Sequence, residues 1–204
     1  MKISETRKLT AENFPDRARS LASCYPELDA IINRHGVPEF WNRPTGFKTL
    51  VRIILEQQVS LLAAERAFER IEAGLPELSS LTVHKAGIIG LRQLGITRQK
   101  SRYIFELAKS IEEGILNLNR LEKQSDESVF EKLTQLPGIG PWTAKVYLLS
   151  ALCRPDVWPP GDLALNKTIR RLMPDAGEEL ERSGERWAPE RAVAARLLWH
   201  EYLS

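Results

Sequence analysis

Apolar residues recur at three- and four-residue spacing along most of the chain, the signature of helices with one face turned inward. Leu28, Ile31 and Ile32 follow Pro26, which suits a first helical turn, and Gly36 suits the end of that segment. Phe47, Leu50, Val51, Ile54 and Leu55 form a second apolar face. Ser60 is placed to cap a third helix, in which Ala63, Ala64, Ala67, Phe68 and Ile71 turn inward. Tyr103, Ile104, Leu107, Ala108 and Ile111 make another, ending near Gly114, and Val129, Phe130 and Leu133 a shorter one. A long apolar helix is predicted from Trp142 to Leu152, one from Asp162, and a last from Pro189 to Tyr202. Alternating β-type runs bounded by turn signals are not found. The pattern predicts an all-α protein of many short helices.

At 204 residues the chain has room for one domain or two small lobes. A hydrophobic share of 43% supports a core, and 12 Gly with 12 Pro exclude collagen-like and low-complexity classes. No apolar run reaches the ~18 residues of a membrane span. The segment Met1–Glu5 lacks the apolar core of a signal peptide. Two cysteines, Cys24 and Cys153, cannot make a disulfide framework, a four-cysteine zinc site or a four-thiolate iron–sulfur cluster. Reduced cysteines and an intracellular, cytoplasmic location are therefore expected, nucleoid-associated if the source is prokaryotic. With 29 basic and 27 acidic side chains the net charge is +2, which neither demands nor excludes nucleic acid.

Two segments carry candidate chemistry. Pro137-Gly138-Ile139-Gly140-Pro141 lies between helical patterns and cannot itself be helical. Its glycines permit close approach to the main chain, and Pro141 suits the first position of the next helix. Free amides at that helix start, with its dipole, make an anion site for which a DNA phosphate is a natural occupant. A plain helix–helix turn explains the same residues equally well. A dinucleotide fingerprint fails, because a helix and not a strand precedes. The second segment is Pro159-Pro160-Gly161-Asp162, in which Asp162 opens a helix pattern. Alone it reads as an N-cap worth ~1 kcal/mol, though one residue can be both cap and catalyst.

The run Leu136-Pro-Gly-Ile-Gly-Pro-Trp-Thr-Ala144 resembles the helix-hairpin-helix of the DNA glycosylase superfamily that includes endonuclease III. Asp162, 22 residues beyond Gly140, stands where that superfamily has its catalytic aspartate. Phe47-Lys-Thr-Leu-Val-Arg-Ile-Ile-Leu-Glu-Gln-Gln-Val-Ser60 and Arg191-Ala-Val-Ala-Ala-Arg-Leu-Leu-Trp199 resemble segments of its 3-methyladenine DNA glycosylase II branch. The likeness runs from Phe40 to Tyr202 and matches the compact form, without the N-terminal β domain of some relatives.

The resemblance implies two helical lobes flanking a DNA- and base-binding cleft. One lobe would be built from residues 1–45 and 151–204, the other from 46–150 with the hairpin. Amides of Gly138, Gly140 and Thr143 would hold a phosphate. Carbonyls of Thr134, Leu136 and Ile139 would hold a structural Na or K ion. Trp142 and Trp199 match aromatic positions of the base pocket, with core packing as the plainer reading of each. Gln58 matches the side chain that fills the gap left by a flipped base. Bifunctional relatives have a lysine nucleophile where this chain has Trp142, and Lys145 lies three positions on. The implied activity is therefore hydrolysis of the N-glycosidic bond of alkylated purines in base excision repair, without strand cleavage, cofactor or iron–sulfur cluster. The implied partner is damaged double-stranded DNA, met by a monomer with no membrane association.

Deaminated or oxidised bases, or lesion binding without catalysis, are the alternatives. Val146 and Leu163 replace two pocket tyrosines of the best-known member. Glu56 replaces a glycine and adds a negative charge near the expected DNA side. Lys100, Arg102, Lys145, Lys167, Arg170 and Arg171 are candidates for phosphate contact.

Overall fold

A computed structural model describes residues 8–204; Met1–Glu5 and the first residues of the 1–45 segment lie outside the described residues. The described residues are all-α, with no strand among them. The helices are α1 (Phe14–Ala22), α2 (Pro26–His35), α3 (Phe47–Glu56), α4 (Leu61–Gly74), α5 (Ser80–Gln93), α6 (Arg98–Glu112), α7 (Asp126–Thr134), α8 (Pro141–Ser150), α9 (Leu163–Leu172), α10 (Gly177–Ser183) and α11 (Arg191–Leu203). Short 3-10 turns cover Leu118–Lys123 and Glu185–Trp187.

The sequence pattern missed α1, α5 and α10. In α5 the chain bends at Gly87 (φ +66°), which breaks the apolar period into two short pieces. Two helix ends also differ from expectation. The hairpin's second helix stops at Ser150 rather than Leu152, and the last helix starts at Arg191 rather than Pro189. Ala63 is exposed, not inward, because it sits in the first turn of α4 beside its cap, where the Ser60 hydroxyl accepts the Ala63 amide.

The chain divides into two compact units. A terminal unit joins the described residues up to Asn42 with Leu148–Ser204, and a central unit is Arg43–Tyr147, so the division falls inside α8. These boundaries stand three residues before those expected from the sequence. In the terminal unit α11 is the central post, packed against α1, α2 and α9. Residues 192–198 are buried without interruption, so the helix is covered on all sides there. In the central unit α3 is the post, with Leu50, Val51, Ile53, Ile54 and Leu55 buried and with α4 and α6 against it.

Candidate functional site

In the central unit, residues 135–140 turn the chain from α7 into α8. Gly138 has φ +83°, and a Cβ there would stand 2.0 Å from Cγ of Tyr103 on α6. Both the backbone and the tyrosine ring therefore require glycine. Ile139 anchors the turn, 3% exposed, and its amide donates to the Leu136 carbonyl at 3.1 Å. Gly140 differs: its φ is ordinary for any residue, it is exposed, and a Cβ would meet nothing within 4 Å. Nothing in the fold demands glycine at 140. The Gly140 carbonyl accepts the Ala144 amide at 3.0 Å and so starts α8. The amides of Gly138, Gly140 and Thr143 donate to no acceptor among the described residues. A helix start with unpaired amides can receive an anion.

A residue that the sequence reading passed over braces this turn. Gln57 Nε2 donates to the Gly138 carbonyl at 2.7 Å and to Thr143 Oγ1 at 2.8 Å, tying the end of α3 to both sides of the hairpin. Its neighbour Gln58 is exposed, with φ +55°. Among described non-glycine residues only Gln58 and Cys153 have positive φ. A left-handed glutamine is strained, and such strain gathers at functional positions. The charge of Glu56 is met locally, by a two-pronged pair with Arg43 at 2.9 Å on each prong.

In the terminal unit, the loop before α9 is pinned at several points. Arg191 grips Asp156 through both prongs at 2.6 and 2.9 Å, and Trp158 Nε1 donates to the Glu181 carbonyl at 3.0 Å. Gly161 (φ +73°) then turns the chain to Asp162. Asp162 is the N-cap: its Oδ1 accepts the amides of Ala164 and Leu165, each at 3.0 Å. The same oxygen accepts Trp199 Nε1 at 3.1 Å, and the residue is only 8% exposed. Asp162 and Trp199, 37 positions apart, are thus brought together by the same oxygen that caps α9.

Trp199 is half-buried and lies 5.7 Å, centroid to centroid, from Trp41, a tryptophan 38% exposed that the sequence reading did not single out. Trp158 and Trp187 are core residues. Trp142, in the central unit, is half-buried at the second position of α8. Leu163 is 74% exposed next to Asp162, whereas Val146 is buried. Arg196 is the other unanticipated residue, a guanidinium 1% exposed that burial draws down to a pKa of about 10. Its only sequence signal was a charge inside an otherwise apolar helix.

The candidate phosphate-contacting cations sort by partner. Arg170 forms a two-pronged pair with Glu181 at 2.7 Å, and Arg171 pairs with Glu201 at 2.8 Å. Lys145 lies 4.9 Å from the centroid of the Phe130 ring. Lys100 Nζ donates to the Leu55 carbonyl at 2.6 Å, and burial lowers its pKa. Arg102 and Lys167 are exposed.

With this geometry in place, comparison with known proteins is specific. A putative DNA-3-methyladenine glycosylase of Bacillus subtilis is 27% identical over 184 residues, covering 84% of this chain and 64% of its own length. A DNA-3-methyladenine glycosylase of Saccharomyces cerevisiae is 33% identical over 142 residues, covering 65% of this chain and 48% of its own. The chain thus spans between about half and two thirds of the length of these two relatives. A solved DNA-3-methyladenine glycosidase from Bacillus halodurans superposes with a TM-score of 0.77 at 28% identity, covering 97% of this chain and 93% of that one. Residues 51–190 match the family of HhH-GPD base excision DNA repair proteins, and the chain belongs to that superfamily.

Proposed function

We propose that the protein is a monofunctional DNA glycosylase that hydrolyses the N-glycosidic bond of alkylated purines such as 3-methyladenine and 7-methylguanine. The carrying observation is Asp162, a nearly buried carboxylate whose Oδ1 is held by two amides and by Trp199 Nε1. A carboxylate fixed this way is pre-oriented to receive a proton from a water, or to face positive charge developing on a sugar. An alkylated purine nucleoside is already cationic. Its C1′–N bond breaks with the electron pair going to the base, which leaves neutral. Water forms the new C1′–O bond and loses its proton to the carboxylate and then to solvent. One carboxylate suffices, because the leaving group needs no acid.

The indole of Trp199, bonded to Asp162, and that of Trp41 packed on it suit a cationic flipped purine. The absence of strand cleavage rests on Trp142 at the position where bifunctional relatives have a lysine, and on Lys145 being engaged by Phe130. Duplex DNA would be held by the hairpin amides, a reading supported by a glycine at 140 that the fold itself does not require. A Na or K ion would be held there by the neutral carbonyls of Thr134, Leu136 and Ile139. That of Leu136 keeps one lone pair beyond the Ile139 amide, and the ion would add positive charge facing a phosphate.

The test is release of free 3-methyladenine and 7-methylguanine from methylated duplex DNA by wild type and Asp162→Asn. Release that collapses in the variant while abasic-duplex binding persists supports the proposal. Release that survives removes Asp162 as the catalyst. No release by either protein, with lesion binding intact, assigns the protein to other lesions or to binding alone.

A further inference from the structure

Arg196 is an unlikely side chain for its place. It lies within the buried stretch 192–198 of α11, where Leu or Met would complete the core without the desolvation cost of a charge. Among the described residues its partners include no carboxylate. Its guanidinium carbon lies 4.4 Å from the centroid of Trp41, 4.7 Å from that of Phe40 and 6.0 Å from that of Phe14. Nη1 donates to the Trp41 carbonyl at 2.5 Å and Nη2 to the Leu149 carbonyl at 3.0 Å, while Nε has no hydrogen-bond partner.

What this costly group secures is Trp41, which belongs to no helix. Arg196 holds that residue twice, by its carbonyl and by its ring face. The Trp41 ring then packs on Trp199, and Trp199 Nε1 donates to Asp162 Oδ1. Arg196 and Trp199 are three residues apart on α11, so they share a face of the helix. We propose that Arg196 is a positioning residue for hydrolysis, acting through Trp41 and Trp199 on the orientation of Asp162. This rests on the reading of Asp162 as the catalytic carboxylate.

The test combines steady-state release of methylated bases with the indole N–H NMR resonance of Trp199, assigned by its loss in Trp199→Phe. Arg196→Met keeps the volume and removes the charge and the fork. It is expected to move the Trp199 resonance in the direction taken by Asp162→Asn. It should also lower kcat by about tenfold or more, with KM within about twofold. Arg196→Lys, which restores a cation against the rings, should recover part of both signals. An unmoved resonance with kcat within about twofold of wild type overturns the proposal, and so does a loss of thermal stability alone. If Arg196→Met does not fold, Trp41→Leu carries the resonance readout alone, since Trp41 is also placed to stack on the base, and an unmoved Trp199 resonance there overturns the proposal. If Asp162→Asn releases base at the wild-type rate, the catalytic reading has failed, and a role for Arg196 in hydrolysis falls with it. The resonance would then report only whether Arg196 holds Trp199.

Discussion

The hairpin of the central unit and the Asp162 corner of the terminal unit are built from opposite materials. The hairpin presents main chain: three amides left over at a helix start, with side chains serving only to brace the turn. The corner presents side chains, a carboxylate and two indoles contributed by residues 41, 162 and 199 and held by Arg196. A main-chain site depends on which residues can be tolerated there, so its sensitive positions are glycines. A side-chain site depends on which atoms are present, and its sensitive positions are the atoms themselves. Substitutions should separate the two.

The largest effect is expected at the corner. Asp162→Asn keeps an oxygen able to accept the Ala164 and Leu165 amides, so the cap and the fold should persist. Base release should fall by about a hundred- to ten-thousandfold, the usual worth of a positioned general base. Single-turnover release from methylated DNA checks this, and loss of helix content in the variant would instead make Asp162 chiefly a cap.

Two hairpin glycines come next, and they should part company. Gly138→Ala pushes a methyl into the Tyr103 ring at a left-handed φ, and should cost about 2 kcal/mol or more of stability. Gly140→Ala meets open space at an ordinary φ, and should leave stability within about 0.5 kcal/mol of wild type. It should nevertheless weaken duplex binding by about tenfold, comparable to losing one charge-assisted amide–phosphate bond. Thermal melts and binding isotherms at one fixed salt concentration separate these outcomes. Equal melts and equal affinities for Gly140→Ala would leave the hairpin a simple turn.

The same contrast explains how much of the molecule could be read from its residues. The hairpin was legible because a main-chain device is written in consecutive positions: Pro, Gly, Gly and Pro within five residues. Asp162 was legible as a helix cap, and the catalytic role proposed for it was implied only by a family likeness. Trp41 and Arg196 were not legible, because nothing local links positions 41, 162, 196 and 199 until α11 brings them together. Gln57 was missed for a related reason. Its partners Gly138 and Thr143 lie more than 80 positions away, and nothing beside it in the chain marks it. Most helices followed from apolar spacing; α5 did not, since periodicity cannot span the break at Gly87, and neither did α1 and α10, of nine and seven residues.

Gln57 offers a smaller test of whether bracing matters to the main-chain site. Gln57→Leu removes both hydrogen bonds and leaves the Gly138 carbonyl and Thr143 Oγ1 without that donor. A loss of about 1–3 kcal/mol in stability is expected. Binding of undamaged duplex should weaken by severalfold, because the three amides no longer share one fixed geometry. A variant that melts lower but binds as tightly as wild type would show that the hairpin holds its shape without help from α3.

A change in stability as small as that of Gly140→Ala is expected at Gln58, where it should be opposite in sign to the change in activity. The residue holds φ +55°, a conformation that costs most side chains about 1–2 kcal/mol and glycine almost nothing. Glycine also makes the unfolded chain more flexible by a similar amount, so Gln58→Gly should come out within about 0.5 kcal/mol of wild type, on the stabilising side. If the exposed glutamine fills the space left by a flipped nucleotide, its removal should slow base release severalfold while hardly changing affinity for duplex that needs no flipping. Gln58→Asn, which tolerates the left-handed region but is one methylene shorter, should fall between the two in rate. A glycine variant as fast as wild type would reduce the strained glutamine to a feature of the turn, and the hairpin would then be the central unit's only DNA-directed element with support from its geometry.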